Sequence, residues 1–431
     1  MTAPLVSAQE RRSVQTRVLR FCMSVAGLVY LRKTWTALFQ QRAMLQLQAQ
    51  QQDMFWRTLK YTFSAQLIAA SEYLLPLVKP LLAARIGKLL VWKGPQVVAR
   101  NAVYGPHPRN TVDVYDANGK NPKAALTLAM NPKPGSEAIA PQDDMQVKKP
   151  VLVFVHGGAW SFGHKWQYGL VGEYLSSALG IVVAVVNYRT YPSGHVQDMV
   201  QDVEHAIRWI ETTCHLYGGD KDQIFLSGHS SGAHVGALTL IQSALRVAGP
   251  TSDKNDLIKK NEVVRSVKGF IGLAGPYDIS DHYVFESERV VGPLQGVHEI
   301  SPMKPAVLGM ENFKVHSPTA IMADVKHKNL KLPAFHILHG LDDAVVPSSS
   351  SEKFAASLKQ ARQRVNFIPI AGCTHEDIIF SVMGDPVTCR DRVVDHIRRI
   401  LDSSVEEVAA KVAKKESKSA GASASIARAK L

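Results

Sequence analysis

The sequence predicts an α/β fold with a mostly parallel central sheet and helices on both of its faces. From residue 150 onward, short apolar runs alternate with segments of helical periodicity, the pattern of parallel strands joined by crossover helices. One run breaks into Gly228-His-Ser230-Ser-Gly232 and continues into helix-compatible sequence, the order strand, sharp turn, helix. Other polar candidates directly follow apolar runs, where open α/β sheets place their chemistry.

Length and charge divide the chain into three parts. The 431 residues are 46% hydrophobic, enough for one large domain with appendages. The net charge is +13, but residues 1–93 hold 13 Lys/Arg against 3 Asp/Glu, and residues 403–431 hold 6 against 3, so the segment between them is neutral. We expect a basic helical N-terminal extension (1–93), an α/β domain (94–402) and an Ala/Lys/Ser-rich disordered tail (403–431).

The N-terminal extension has two apolar stretches. The first, 21–31, is too short to span a bilayer, and the second, 61–92, is interrupted by charges and by Pro76 and Pro80. We therefore expect amphipathic helices lying on an anionic membrane surface, with packing on the α/β domain or on a partner as the alternative. The sequence has no nucleic-acid-binding module, so no nucleic-acid partner is expected, and the oligomeric state is left open.

The α/β domain is expected to begin with an antiparallel edge pair. Residues 97–104 and 111–115 have strand composition, whereas 116–149 are rich in Asn, Pro, Lys and Gly and predict a surface loop. Residues 276–331, with several aromatic residues and prolines, predict an inserted cap over the pocket. Further strands are expected at 150–155, 181–186, 224–227, 267–273, 332–338 and 365–370, and helices near 168–178, 196–214 and 387–401.

Ser230 is the predicted nucleophile. A strand-turn-helix bend holds such a serine with its hydroxyl exposed, as in the α/β-hydrolase fold, and glycines at 228 and 232 avoid crowding where the chain reverses. A serine hydroxyl needs a base to take its proton and a carboxylate to stabilise the resulting imidazolium. The partners are therefore expected downstream in the order Asp, His.

Asp343 is the predicted acid and His375 the predicted base, because each follows the end of a predicted strand. Asp342 is the alternative acid, although the His-Gly-X-X-Asp spacing favours Asp343. Cys373, two residues before the base, is a weaker candidate nucleophile because it lacks the strand-turn-helix context.

The turn after the strand at 150–155 is expected to bind the oxyanion. Rigid backbone N–H groups in a glycine turn, together with the N–H of the residue after the nucleophile, can stabilise the negative charge. The predicted oxyanion and substrate-binding residues are Gly157, Gly158, Ala159, Trp160, Ser231 and His229. Four other histidines are interpreted as structural: His156, His234, His336 and His339.

Neither a metal nor an organic cofactor is expected, because the chain has no His-Glu-X-X-His or similar ligand spacing. The four cysteines, Cys22, Cys214, Cys373 and Cys389, have no paired spacing, and no Asn-X-Ser/Thr acceptor occurs. Both observations favour a reducing, cytosol-facing environment. The C-terminal Ala429-Lys430-Leu431 resembles a peroxisomal address, which is the alternative.

Seven motifs together resemble the isoprenylcysteine α-carbonyl methylesterase family, over roughly residues 98–400. They are Tyr104–Asn110, Phe154–Trp160, Asn187–Arg189, Tyr217–Asp220, Gly228–His234, His339–Asp343 and Thr374–Asp377. The resemblance implies a serine carboxylesterase of the α/β-hydrolase fold that removes the methyl ester of farnesyl- or geranylgeranyl-cysteine, associated with endoplasmic reticulum or Golgi membranes. Three alternatives stay open: an arylformamidase acting on formylkynurenine, a generic short-acyl carboxylesterase, and a non-catalytic membrane adaptor.

Overall fold

The computed structural model describes residues 97–117, 148–249, 262–291, 294–325 and 330–403. The predicted N-terminal extension, nearly all of the predicted tail and most of the predicted 116–149 loop lie outside these residues. The predictions made for those segments therefore stay predictions.

An eight-stranded, mostly parallel sheet forms the centre of the domain, in the order β1-β2-β4-β3-β5-β6-β9-β10. Strand β2 is antiparallel to both of its neighbours, β1 and β4, whereas β3, β4, β5, β6, β9 and β10 run parallel to one another. The eight strands are β1 (Val97–Val103), β2 (Thr111–Tyr115), β3 (Lys149–Val155), β4 (Val182–Asn187), β5 (Gly219–His229), β6 (Val267–Leu273), β9 (Ala334–Gly340) and β10 (Val365–Ile370). The predicted fold class and the antiparallel edge pair are confirmed.

Helices cover both faces of the sheet. One face packs against α2 (Val196–Thr213), α3 (Ser231–Ala248) and α7 (Ser348–Gln360), and the other against α1 (Gly169–Leu179), α8 (His375–Val382) and a last helix, α9, at 390–403. Strands β3 and β4 are buried almost throughout, because a parallel sheet covered on both faces needs apolar side chains on both. Two hydrophobic cores result, one on each side of the sheet.

The described residues between β6 and β9 form the insertion predicted at 276–331, called the cap below; that it covers the pocket stays a prediction. It contains α4 (Ile279–Glu288), α5 (Met303–Ala306) and α6 (Pro318–Asp324), with a short hairpin of β7 (Val290–Val291) and β8 (Leu294–Gln295). The N-terminus of α4 is capped by Asp278, whose carboxylate accepts from the N–H groups of Ser280 and Asp281. Among the described helices, none is both long enough and apolar enough to cross a bilayer.

The cysteines differ from expectation. Cys373 and Cys389 form a disulfide with their Cα atoms 5.8 Å apart, whereas Cys214 is free and buried. The pairing was missed because α8 folds back after β10 and brings together two residues that are 16 positions apart. The absence of paired spacing in the sequence therefore gives no support to a reducing environment, and the cellular location stays a prediction.

Candidate active site

The carboxyl ends of five parallel strands meet at one edge of the sheet. The pairing aligns Val155 of β3 with Gly228 of β5, His229 with Leu273 of β6, and Leu273 with Leu338 of β9. Gly340 at the end of β9 then aligns with Ile370 at the end of β10. The glycine turn, the serine bend, the acid loop and the base loop therefore leave the sheet side by side.

Ser230 occupies a sharp bend between β5 and α3. Its φ of 55° and ψ of −127° are a strained combination for a residue with a side chain. Its N–H donates to the carbonyl of Leu273 at 2.8 Å, and Ser231 begins the helix. A Cβ at Gly232 would lie 2.3 Å from the carbonyl oxygen of Val155, so the helix can approach β3 this closely only with glycine there. The half-buried Ser230 side chain is thus presented at the sheet edge.

Asp343 and His375 form a buried pair. The Nδ1 of His375 lies 2.7 Å from Oδ2 of Asp343, and Oδ1 of Asp343 accepts from the N–H groups of Val345 and Val346, both at 2.8 Å. Burial by itself would raise the pKa of Asp343, but the nearby His375 and hydrogen bonds from His339 and His375 hold this pKa well below its usual range. The ionised carboxylate accepts a hydrogen bond from the N–H at Nδ1, which leaves Nε2 of His375 as the basic nitrogen.

The alternative acid, Asp342, has an exposed side chain, whereas Asp343 is buried and paired with His375. The structure thus brings Asp343, and not Asp342, to the base. The two loops fit closely, since a Cβ at Gly340 would lie 2.1 Å from the carbonyl oxygen of Cys373. Cys373 is fully buried and bonded to Cys389, so its thiol does not compete as a nucleophile in this state.

His339 buttresses the acid. Its Nε2 lies 3.1 Å from Oδ2 of Asp343 and 2.9 Å from the carbonyl oxygen of Val346, and both are acceptors. Nε2 therefore carries the proton, and the hydroxyl of Ser351 donates to Nδ1 at 2.6 Å. This residue, interpreted from the sequence as structural, contacts Oδ2 of Asp343, whereas the backbone donors contact Oδ1.

The glycine turn packs directly on the serine bend. A Cβ at Gly157 would lie 2.8 Å from the carbonyl oxygen of His229 and 3.0 Å from Cβ of Ser230. Gly158, Ala159 and Trp160 all have positive φ, at 128°, 47° and 57°. This unusual backbone shapes the turn that lies against the serine bend, and its binding of the oxyanion stays a prediction.

Aromatic and hydrogen-bonding contacts fix the start of this turn. His156 is fully buried, with its ring stacked 4.5 Å from that of Tyr188 and 5.4 Å from that of Tyr168. Its Nδ1 lies 2.9 Å from the carbonyl oxygen of Gly157, and its own carbonyl accepts from the Tyr188 hydroxyl at 2.7 Å. Burial lowers the pKa of His156 to about 3, so the imidazole is neutral and supports the turn by packing.

His229 and Trp160 are more enclosed than a substrate-binding surface requires. His229 is buried, its ring centroid lies 4.6 Å from that of His375, and its Nε2 donates to the His375 carbonyl at 3.2 Å. Trp160 is buried, and its indole N–H donates to Nδ1 of His234 at 3.1 Å. In this structure both side chains hold the site in place.

Arg109 was missed as a supporting residue. Its guanidinium donates to the carbonyl oxygens of Tyr188 (2.7 Å) and Gly163 (2.8 Å). Arg109 thereby links Gly163, which follows the glycine turn, to Tyr188, which follows β4. The signal was present in the sequence, because Arg109 belongs to the Tyr104–Asn110 motif, but its contact lies 54 residues away in Gly163.

The arrangement is suited to acyl transfer. It supplies a serine on a strained bend, a histidine oriented by a buried carboxylate, and a glycine turn packed against the serine bend. In the described part of the chain, no group of three or more His, Cys, Asp or Glu side chains could hold a metal ion.

Comparisons with known proteins agree with this geometry. The chain is 31% identical over 306 residues to a probable isoprenylcysteine alpha-carbonyl methylesterase (ICME) of Oryza sativa subsp. japonica, covering 70% of this chain and 64% of that protein. It is 29% identical over 310 residues to the isoprenylcysteine alpha-carbonyl methylesterase ICME of Arabidopsis thaliana, covering 70% and 62%. The chain thus spans less than two thirds of either relative's length.

The structure resembles that of esterase B from Lactobacillus rhamnosis, with a TM-score of 0.53 and 16% identity, covering 72% of this chain and 87% of that one. This likeness shows a shared α/β-hydrolase fold. Residues 139–358, just over half of the chain, match the family described as BD-FAE. The chain therefore belongs to the BD-FAE family and has the α/β-hydrolase fold.

Proposed function

We propose that the protein is a serine carboxylesterase that hydrolyses the α-carboxyl methyl ester of isoprenylated cysteine. The observation that carries the esterase part is the Asp343–His375 pair, 2.7 Å apart, beside the strained bend at Ser230. The methyl ester of a prenylated cysteine enters through the two plant relatives, whose names state that substrate.

The reaction would proceed in two halves. Nε2 of His375 takes the hydroxyl proton as Oγ of Ser230 attacks the ester carbonyl, and N–H groups of Gly157, Gly158 and Ser231 stabilise the oxyanion. The tetrahedral intermediate collapses to an acyl-enzyme, and His375 returns the proton to the departing methoxide, which leaves as methanol. A water molecule then loses a proton to His375 as it attacks the acyl-enzyme carbonyl. Collapse of the second tetrahedral intermediate breaks the bond to Oγ of Ser230, which recovers the proton from His375, and the free acid leaves.

The N-terminal extension would bring the enzyme to the membrane in which its substrate lies. Residues 1–93 carry a net charge of +10 together with two apolar stretches, a combination that favours binding to anionic membrane surfaces. Prenylated substrates partition into such membranes, so we propose that this segment holds the enzyme beside them, on the cytosolic face of the endomembrane system.

The test compares two substrates of one enzyme. Purified protein is incubated with farnesylcysteine methyl ester and with formylkynurenine, and methanol and formate are measured, with Ser230→Ala as the control. The proposal predicts methanol release that is lost in Ser230→Ala and little formate. Formate release far above methanol release would instead show that the protein is an arylformamidase.

A short-acyl ester is the second candidate, and a feature of the cap favours it. His282 and Glu286 of α4 are buried, with the ring of His282 6.4 Å from that of Trp160. The cap next to the glycine turn is therefore partly polar, which suits a small polar acyl group better than a long prenyl chain. Faster turnover of butyryl esters than of farnesylcysteine methyl ester would select this candidate.

A further inference from the structure

The tip of the glycine turn has a strained backbone and is held by hydrogen bonds to other segments of the chain. Ala159 and Trp160 adopt φ of 47° and 57°, a left-handed backbone that residues with a side chain rarely adopt. Two hydrogen bonds hold Trp160: its carbonyl accepts from the N–H of Tyr191 at 2.7 Å, and its indole N–H donates to Nδ1 of His234 at 3.1 Å. The second bond comes from α3, the helix that starts just after the nucleophile.

His234 uses both of its ring nitrogens. An indole N–H can only donate, so Nδ1 accepts from Trp160. Nε2 then carries the proton and donates to the carbonyl oxygen of His316 at 2.7 Å. The side chain is fully buried, and burial lowers its pKa to about 3. His234 is therefore a neutral imidazole with one fixed tautomer and a separate partner on each side.

The two partners belong to different parts of the molecule. Trp160 lies in the glycine turn, whereas His316 lies in the cap. Next to His316, the hydroxyl of Ser317 accepts from the N–H of Ile279 at 2.9 Å and donates to the carbonyl of Phe313 at 2.7 Å. The cap segment that contacts His234 is thus tied to the start of α4.

We infer that His234 is a positioning residue with two separable tasks: its Nδ1 holds the oxyanion turn in the reactive conformation, and its Nε2–H holds the cap over the acyl group. The inference rests on the proposed esterase activity and deepens it. The turn acts on the transition state, because the oxyanion is fully formed only there. The cap acts on the bound substrate, so its position changes affinity in the ground state as well.

Two substitutions separate these tasks. The Oδ1 of asparagine can take the place of histidine Nδ1, and the Nε2 of glutamine can take the place of histidine Nε2. His234→Asn therefore keeps an acceptor for Trp160 and loses the donor to His316, whereas His234→Gln keeps the donor and loses the acceptor. Ser243→Ala is the matched control, since this buried hydroxyl on the same helix donates to Glu262 at 2.7 Å, away from the turn and the cap.

We expect one His234 substitution to change kcat and the other to change KM. Loss of one hydrogen bond changes an equilibrium by about 10-fold. His234→Gln should lower kcat by about this factor with KM nearly unchanged, and His234→Asn should raise KM by a similar factor with kcat nearly unchanged. Ser243→Ala should lower the melting temperature and leave both constants alone. Equal changes of kcat and KM in both His234 variants would overturn the inference.

Amide hydrogen exchange gives a second readout that needs no activity. His234→Gln should speed exchange at 156–163 and leave 308–317 protected, and His234→Asn should do the reverse. Exchange that rises in both segments in both variants would assign His234 a merely structural role. Absence of hydrolysis by the unsubstituted protein would contradict the proposed function, and the exchange experiment would still decide this inference.

Discussion

Gly157→Ala tests whether the glycine turn must lie against the serine bend. The new Cβ would lie 2.8 Å from the carbonyl oxygen of His229 and 3.0 Å from Cβ of Ser230. Both neighbours belong to the bend itself, so neither can move without moving the nucleophile. The turn must therefore retreat by several tenths of an ångström, which displaces its N–H groups from the oxyanion.

The expected loss follows from the value of an oxyanion donor. Removing one such donor lowers kcat by about 10²–10³, or about 3–4 kcal/mol of transition-state stabilisation. A displaced donor should lose a substantial part of this, so we expect kcat to fall by about 10- to 10³-fold with KM little changed. The assay is steady-state hydrolysis of a chromogenic ester, with circular dichroism to verify folding.

Gly249→Ala is the matched control. Gly249 has a φ of −64°, and a Cβ there would meet its nearest atoms at 3.6 Å, an ordinary contact. This variant should keep the unsubstituted kcat. A folded Gly157→Ala protein with unchanged kcat, or an equal loss in Gly249→Ala, would refute the assignment of the turn.

Three further predictions concern the acid, the pH dependence and the disulfide. Asp343→Asn should lower kcat by about 10⁴ because the amide favours the wrong histidine tautomer, whereas the exposed Asp342→Asn should be nearly neutral; ester hydrolysis assays compare them, and equal losses would contradict the assignment. Burial lowers the pKa of His336 to about 4, so only the unfolded state takes up its proton as pH falls from 6.5 toward 4, and stability is lost over that window. Urea titrations at about pH 7.5 and about pH 5 give the free energy of unfolding at each pH. Between these two pH values, this free energy should fall by about 1–2 kcal/mol less in His336→Asn than in the parent protein, and an identical fall in both proteins would contradict the prediction. Cys389→Ser opens the 16-residue loop closed by Cys373 and should lower the free energy of unfolding by about 3 kcal/mol, measured by denaturant titration; a parent protein whose stability is unaffected by a thiol reductant would contradict the disulfide.

Much of the fold could be predicted because periodicity and local turn chemistry determine it. The strand predicted at 267–273 matches β6, and the helix predicted at 196–214 matches α2 to within a residue. The final helix begins at 390 instead of 387, since Val387 and Cys389 lie in the turn that approaches Cys373. Helix ends depend on such tertiary contacts, which local sequence does not contain.

The site was predicted from the order of its motifs, and the structure adds their contacts. Ser230, Asp343 and His375 each follow a strand that ends at the same edge of the sheet, and that edge is what the strand pattern implies. The roles of His339 and His234 could not be predicted in this way. Each depends on partners brought in by a different element, Ser351 from α7 and His316 from the cap.

The central claim is that Ser230 is a nucleophile activated by His375. Its most direct test is labelling of the purified 431-residue chain with a fluorophosphonate, followed by intact-mass measurement and peptide mapping. The account predicts one adduct per chain, located on Ser230, and no adduct on Ser230→Ala. An adduct on another residue would contradict the account. So would a folded protein that gives no adduct either with or without detergent.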